Sequence, residues 1–149
     1  MEVLLIDDEK WFVELVQRDL NRVLKDVHMD HEETCELGIS RLVAKAYDVV
    51  LMDYQLVGVQ GLDCLRKIRK LQPELPVVML TGYPSEKLKE ECFAAGADDF
   101  VQKEWIGRLL GAAINSAIHR RHHKLRIAME LQAKNVELDN ISRTAMPDS

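Results

Sequence analysis

Short apolar runs alternate along the chain with segments whose apolar residues recur every three or four positions. Val3 to Ile6, Val49 to Met52 and Val77 to Leu80 are the clearest runs. Each reads as a strand buried on both faces, as in the middle of a parallel sheet. Val27 to Glu33 is weaker and more polar, which suits a sheet edge, and Asp98 to Val101 makes a short fifth strand. Between them, Phe12, Leu15, Val16, Leu20, Val23 and Leu24 predict a first helix. Cys35, Ile39, Leu42, Val43 and Ala46 predict a second, capped by Thr34. Leu62, Leu65, Ile68 and Leu71 mark a third that stops before Pro73. Leu88, Cys92 and Ala95 mark a fourth, which opens at Pro84-Ser85 and ends at Gly96 in a left-handed cap. The alternation predicts an α/β fold, a doubly wound, five-stranded parallel sheet with helices on both faces.

The pattern changes after the fifth strand. No proline interrupts Glu104 to about Ile141, and the glycines, Gly107 and Gly111, come early. Ile106, Leu109, Leu110, Ala113, Ile114 and Ala117 form a face to pack on the sheet. Beyond them Leu110, Ala117, Lys124, Leu131 and Leu138 recur every seven residues, and Ala113, Arg120, Ile127, Lys134 and Ile141 lie three further on. This is an imperfect heptad seam. It divides the chain into a body of residues 1–118, a helical extension of 119–142 and a frayed tail of 143–149. A lone helix would leave Ile127, Leu131, Leu138 and Ile141 in water. The expectation is a homodimer through the C-terminal helix, paired in parallel and tightened by salt, because Arg120 would meet its own copy.

Composition narrows the class. With 149 residues, 47% hydrophobic and 30% charged, the chain suits one globular domain and an appendage. Residues 1–103 carry 13 Lys and Arg against 20 Asp and Glu, whereas residues 104–149 carry 7 against 5. An acidic body suits a cation site and disfavours non-specific nucleic-acid binding. No apolar run approaches the roughly 20 residues of a membrane span. The acidic start leads straight into a strand, unlike a signal peptide, so a cytoplasmic location is expected. Cys35, Cys64 and Cys92 show no zinc spacing and read as buried thiols in a reducing compartment. Seven of the eight residues from His119 to Arg126 are basic or His. A solvated helix face is the reading preferred there; a regulator that binds nucleic acid through this helix is the alternative. His119 and His123 share a face, but no further ligand stands near them in sequence.

The chemistry gathers at the strand ends, which share one edge of a parallel sheet and are where such folds bind ligands. Asp7 and Asp8 follow the first strand, Asp53 the third, Thr81 the fourth and Lys103 the fifth. Three carboxylates on one edge would raise one another's pKa unless a cation shared them. Oxygen ligands without His or Cys suit Mg²⁺. A hydroxyl and an ammonium beside them suit a phosphoryl group, and Asp53, alone on a central strand, is the candidate nucleophile.

These residues resemble the receiver domains of two-component response regulators. The resemblance covers residues 1 to about 118. Its carriers are Leu5-Ile6-Asp7-Asp8-Glu9, Val50-Leu51-Met52-Asp53, Gly61-Leu62-Asp63, Leu80-Thr81-Gly82 and Ala95 through Lys103. It implies a flavodoxin-like strand order of 2-1-3-4-5. It also implies that Asp53 accepts a phosphoryl group from a phosphohistidine on a sensor kinase or phosphotransfer protein. Asp8, Asp53 and the carbonyl of Gln55 would bind Mg²⁺ directly, with Asp7 acting largely through water. Thr81 and Phe100 would move as switch residues, so the chain would be a signalling switch and not a turnover enzyme. Two positions depart from the family pattern. Glu104 replaces the usual proline after Lys103, and Leu56-Val57-Gly58 replaces a Met-Pro-Gly turn. A haloacid-dehalogenase-like phosphatase also uses an Asp nucleophile, but it needs a second Asp where this chain has Gln55. Gln55 and Tyr83 would overhang the approach of water to a phosphorylated Asp53.

Overall fold

A computed structural model describes residues 1–56 and 59–145. The strands are β1 (Glu2–Ile6), β2 (His28–Glu32), β3 (Val49–Asp53), the two-residue β4 (Gln55–Leu56) and β5 (Val59–Gln60), β6 (Val77–Thr81) and β7 (Asp99–Gln102). The helices are α1 (Lys10–Val23), α2 (Cys35–Ala44), α3 (Gly61–Leu71), α4 (Glu86–Ala94) and α5 (Ile106–Ala145). Five strands form one parallel sheet in the order β2-β1-β3-β6-β7. This is the expected doubly wound sheet. The short β4 and β5 pair only with each other, antiparallel. Val57 and Gly58, where the sequence places a loop, and the tail from Met146 to Ser149 lie outside the described residues.

Alternation along the strands builds two cores. Leu4, Ile6, Val50, Met52, Val77 and Met79 point to one face, where residues of α2, α3 and α4 cover them. Val3, Leu5, Val49, Leu51, Val78 and Leu80 point to the other, under α1 and the first part of α5. Both faces being covered explains why these strands are continuously apolar. Strand β2 is the polar edge. The expected cap at Thr34 is present, Leu37 N donating to its Oγ1, and Ser85, at the expected start of α4, caps that helix by accepting from Leu88 N. Gly96 ends α4 at φ 107°, where a side chain would be strained.

Several side chains depart from the expected pattern. Val43 is 72% exposed and Ala46 lies beyond the end of α2, because the buried stripe runs through Cys35, Gly38 and Leu42. Val23 and Leu109 are likewise exposed. Val43 and Leu109 sit next in the helix to the buried stripe, about 100° round the axis from it, whereas Val23 lies on the stripe but is the last residue of α1. The cysteines need a larger correction. Cys35 and Cys64 form a disulfide joining the start of α2 to α3, with their Cα atoms 5.8 Å apart, and only Cys92 is a free buried thiol. Spacing of 29 residues gives no hint of this, since pairing depends on two helices packing side by side.

Helix α5 continues unbroken for 40 residues, beyond the expected end near Ile141. Its exit from the domain is tied at Asp98, a fully buried carboxylate. Asp98 Oδ2 accepts from Arg69 Nη2 at 3.1 Å and from Val77 N at 3.0 Å, and Oδ1 accepts from Arg121 Nε at 2.9 Å. Arg120 donates to the Asp98 carbonyl at 3.1 Å. Two cations of the basic run are therefore hydrogen-bonded to the body and a third, Lys124, lies 4.0 Å from Asp98 Oδ1, which fits a structural role better than a free nucleic-acid patch.

Two outcomes test this description. Asp98→Ala should cost about 3–5 kcal/mol in urea unfolding, because it takes the carboxylate partner from the largely buried Arg69 and Arg121. Alkylation of the denatured, unreduced protein should modify one thiol, and three after reduction.

Candidate functional site

The sheet brings the predicted residues together. β1 stops at Ile6, so Asp7 and Asp8 emerge at its carboxyl end, and Asp7 N donates to Glu32 O on β2. Asp53 ends the neighbouring β3 and pairs in register with Leu80. Thr81 is the next residue on β6 and pairs with Gln102, which Lys103 follows. Gly61 closes the loop after Asp53. A Cβ there would stand 2.7 Å from the Asp53 carbonyl and 2.6 Å from that of Tyr54, so only glycine allows α3 to start this close.

Asp7 is fully buried, while Asp53 and Thr81 are each 4% exposed. Carboxylate oxygens of Asp7, Asp8, Glu9 and Asp53 all lie within 4.8 Å of one another. Lys103 Nζ stands among them, 2.8 Å from Asp7 Oδ2, 3.3 Å from Asp53 Oδ2 and 3.8 Å from Glu9 Oε1. Asp7 Oδ1 accepts from Glu9 N at 2.8 Å, and Asp53 Oδ1 accepts from Gln55 N at 3.2 Å. Tyr83 N donates to Thr81 Oγ1, and the Tyr83 side chain is exposed. Phe100 is half-buried against the core under α3 and α4. The residues after Lys103, where the family's proline is missing, form a single 3₁₀ turn, Lys103–Trp105.

Two neighbours escaped the sequence reading as site residues. Glu9 belongs to the acidic run after β1 and joins the cluster. Phe12, read as core alone, also lies under the ammonium, with Lys103 Nζ 4.2 Å from its ring centre. Such a cation–π contact stabilises the charge that the carboxylates require. A second group of ligand type, Glu2, His28 and Asp30, lies at the opposite end of the strands. The ammonium of Lys45 already sits 2.8 Å from Glu2 and 3.0 Å from Asp30 there.

Burial, and next the charge of Asp7, push the Asp53 carboxyl up to about 6, against the pull of Lys103. Burial likewise raises Asp7 although Lys103 and Glu9 N hydrogen-bond to it. Burial alone would lower Lys103, but its hydrogen bond to Asp7 and the surrounding carboxylates raise it. One ammonium therefore does not neutralise the group. The donor set is all oxygen, negatively charged and clustered, which fits a hard divalent cation such as Mg²⁺.

Residues 3–115 match the family described as the response regulator receiver domain, and the chain belongs to it. Among solved structures, it is similar to a receiver domain protein from Clostridium thermocellum, 26% identical over 81% of this chain and 96% of the other, with a TM-score of 0.72. It is similar to NtrX from Brucella abortus at 26% identity, covering 85% of this chain and 28% of that longer one, with a TM-score of 0.75. A third, the BeF3-activated DrrB receiver domain, is 25% identical over 79% of this chain and 97% of its own, with a TM-score of 0.69.

The raised carboxyl makes a prediction about stability. Between about pH 4 and pH 6, folded Asp53 keeps a proton that the unfolded chain has released, so stability falls as pH rises through that window. Asp53→Asn should therefore stabilise the metal-free protein at pH 7.5 by about 1–2 kcal/mol. Added Mg²⁺ should narrow the gap by stabilising wild type. Urea melts with and without chelator measure both effects, and a variant less stable than wild type in chelator contradicts the account.

Proposed function

We propose that this chain is a phosphorylation switch in which Asp53 accepts a phosphoryl group from a phosphohistidine on a sensor histidine kinase or phosphotransfer protein. The observation that carries the reading is the strand-end group itself, Asp53 with Asp7, Asp8 and Glu9 and with Lys103 between them. A carboxylate oxygen of Asp53 forms the new P–O bond as the P–N bond breaks, and the departing imidazole nitrogen keeps the electron pair and takes a proton. Asp7, Asp8, Asp53 and the Gln55 carbonyl would hold Mg²⁺, which supplies charge neutralisation for the transferring group. Asp53 is ionised at neutral pH despite its burial, so it is competent as a nucleophile. Lys103 is within reach of a group on Asp53 and would exchange its carboxylate partners for phosphoryl oxygens. The Thr81 hydroxyl, one residue past the register partner of Asp53, would donate to the same group. Phe100, partly buried on β7, would follow Thr81, so phosphorylation would bias an existing equilibrium of the surface.

The chain would catalyse only its own phosphotransfer and slow dephosphorylation. Its output would pass through α5, whose extension we assign as a homodimer element. Ile127, Leu131, Leu138 and Ile141 are each 41–64% exposed there. Burying such side chains yields about 1.5–3 kcal/mol apiece. No described helix is long and apolar enough to cross a membrane. A kinase partner of this kind suits a cytoplasmic location, where burial of Cys35 and Cys64 would slow exchange of their disulfide with small thiols.

Acetyl phosphate with Mg²⁺, read by intact mass, should add one phosphoryl group to wild type and none to Asp53→Asn. An adduct that persists in the variant defeats the assignment, and so does its failure to need Mg²⁺.

A further inference from the structure

Lys103 has a neighbour in the site that is not a carboxylate. Its ammonium stands 2.8 Å from Asp7, 3.3 Å from Asp53 and 3.8 Å from Glu9, and its side chain is only 10% exposed. The further neighbour is the ring of Phe12, whose centre lies 4.2 Å from Nζ. Phe12 is fully buried, in the core that holds Leu5, Leu51 and Leu80. Trp11 packs beside it, with ring centroids 5.7 Å apart and planes at 74°. The ring is therefore fixed in place and cannot follow the ammonium if that moves.

We propose that Phe12 is a positioning residue for phosphoryl transfer, its ring keeping the Lys103 ammonium in the site when the carboxylates turn to a divalent cation. The proposal rests on the switch reading of Asp53 and adds a residue to it. Asp7 and Asp53 cannot serve Lys103 and a cation fully at once. Carboxylate oxygens of Asp7, Asp8, Glu9 and Asp53 lie within 4.8 Å of one another, so a cation held among them would be a near neighbour of the ammonium. Lys103 would then have weaker anionic partners and a like charge beside it. Its outermost partner, Glu9, is 44% exposed, which marks a way out to water.

The ring opposes that exit. The negative face of an aromatic ring attracts an ammonium, and more strongly where water is excluded. A hard cation takes oxygen ligands, so it competes with Lys103 for the carboxylates and not for the ring. The attraction also spreads over the ring face and occupies no hydrogen-bond acceptor. Lys103 can therefore shift from Asp7 toward a phosphoryl group on Asp53 while the ring still holds it. A leucine at position 12 would fill the core and offer none of this, which separates positioning from packing.

The charge of the ring face can be changed with little change of shape. Phenylalanines carrying one, two or three fluorines, placed at position 12, make the face progressively less negative. Wild type, this series and Phe12→Leu are compared in two measurements. One is Mg²⁺ affinity by isothermal titration, and the other is the rate of labelling by acetyl phosphate at saturating Mg²⁺. Labelling should slow stepwise along the series and fall by roughly 2- to 30-fold at Phe12→Leu, the range that a cation–π contact represents. Mg²⁺ should bind at least as tightly throughout, because a loosened ammonium opposes it less. If Phe12→Leu fails to fold, the fluorinated series carries the test alone. A labelling rate that stays flat along the series overturns the proposal. Parallel loss of Mg²⁺ affinity and labelling also overturns it, because that marks a loosened core. A wild type that takes no label overturns the switch reading and this role together, whereas a labelled wild type with a flat series overturns the role alone.

Discussion

The fold is organised around a repulsion. A parallel sheet aligns all its carboxyl ends, and here that edge gathers four carboxylates about one ammonium. At separations near 4 Å, one such pair of like charges interacts by about 4 kcal/mol at an effective dielectric of 20. Lys103 offsets part of this by bridging Asp7 and Asp53, and the ring of Phe12 supports its charge. Burial, and after it the remaining repulsion from Asp7, raises the carboxyl of Asp53. A structure that only had to be stable would not keep this arrangement. It makes sense as a site whose carboxylates are completed by a cation and whose lysine is completed by a second anion.

How much of this was legible beforehand follows from what each signal depends on. The parallel sheet was readable because strands covered on both faces must be apolar throughout, and Val49 to Met52 is. The strand-end chemistry was readable because topology places Asp7, Asp53, Thr81 and Lys103 on one edge whatever the loops do. Gly96 and the Thr34 and Ser85 caps are local features, set by a few neighbouring residues. What escaped was contact between distant elements. The pairing of Cys35 with Cys64 depends on how α2 lies against α3. The role of Arg121 depends on α5 passing Asp98. Glu9 and Phe12 were visible as residues, but their service to the site depends on the path of the Lys103 side chain. Val43 and Leu109 failed for another reason, because an apolar residue beside a buried stripe carries no mark showing which side of the boundary it falls on.

Strand β7 joins the two ends of the molecule. Asp98 precedes it and Lys103 follows it, and both are held by ion pairs of low exposure. At the rise of a strand these residues are on the order of 16 Å apart. At one end Lys103 is bound to Asp7 and Asp53. At the other, Asp98 is bound to Arg121, on the turn of α5 that leaves the body. Strand β7, closed by the ion pair of Asp98 with Arg121, thus gives the site a second link to the extension, beside the covalent one from Lys103 through α5 itself. A new anion at Asp53 would compete with Asp7 for Lys103, and any strain that this placed on β7 would be borne at its other end by the bonds to Arg69 and Arg121. Because Asp98 has no exposed surface, water cannot substitute for those bonds. The strand and the helix exit are therefore constrained to keep their relative placement. On the switch proposed for Asp53, a change there would reach the extension as a reorientation of a rigid helix, since local melting of the helix exit would leave the buried Asp98 carboxylate without its partners.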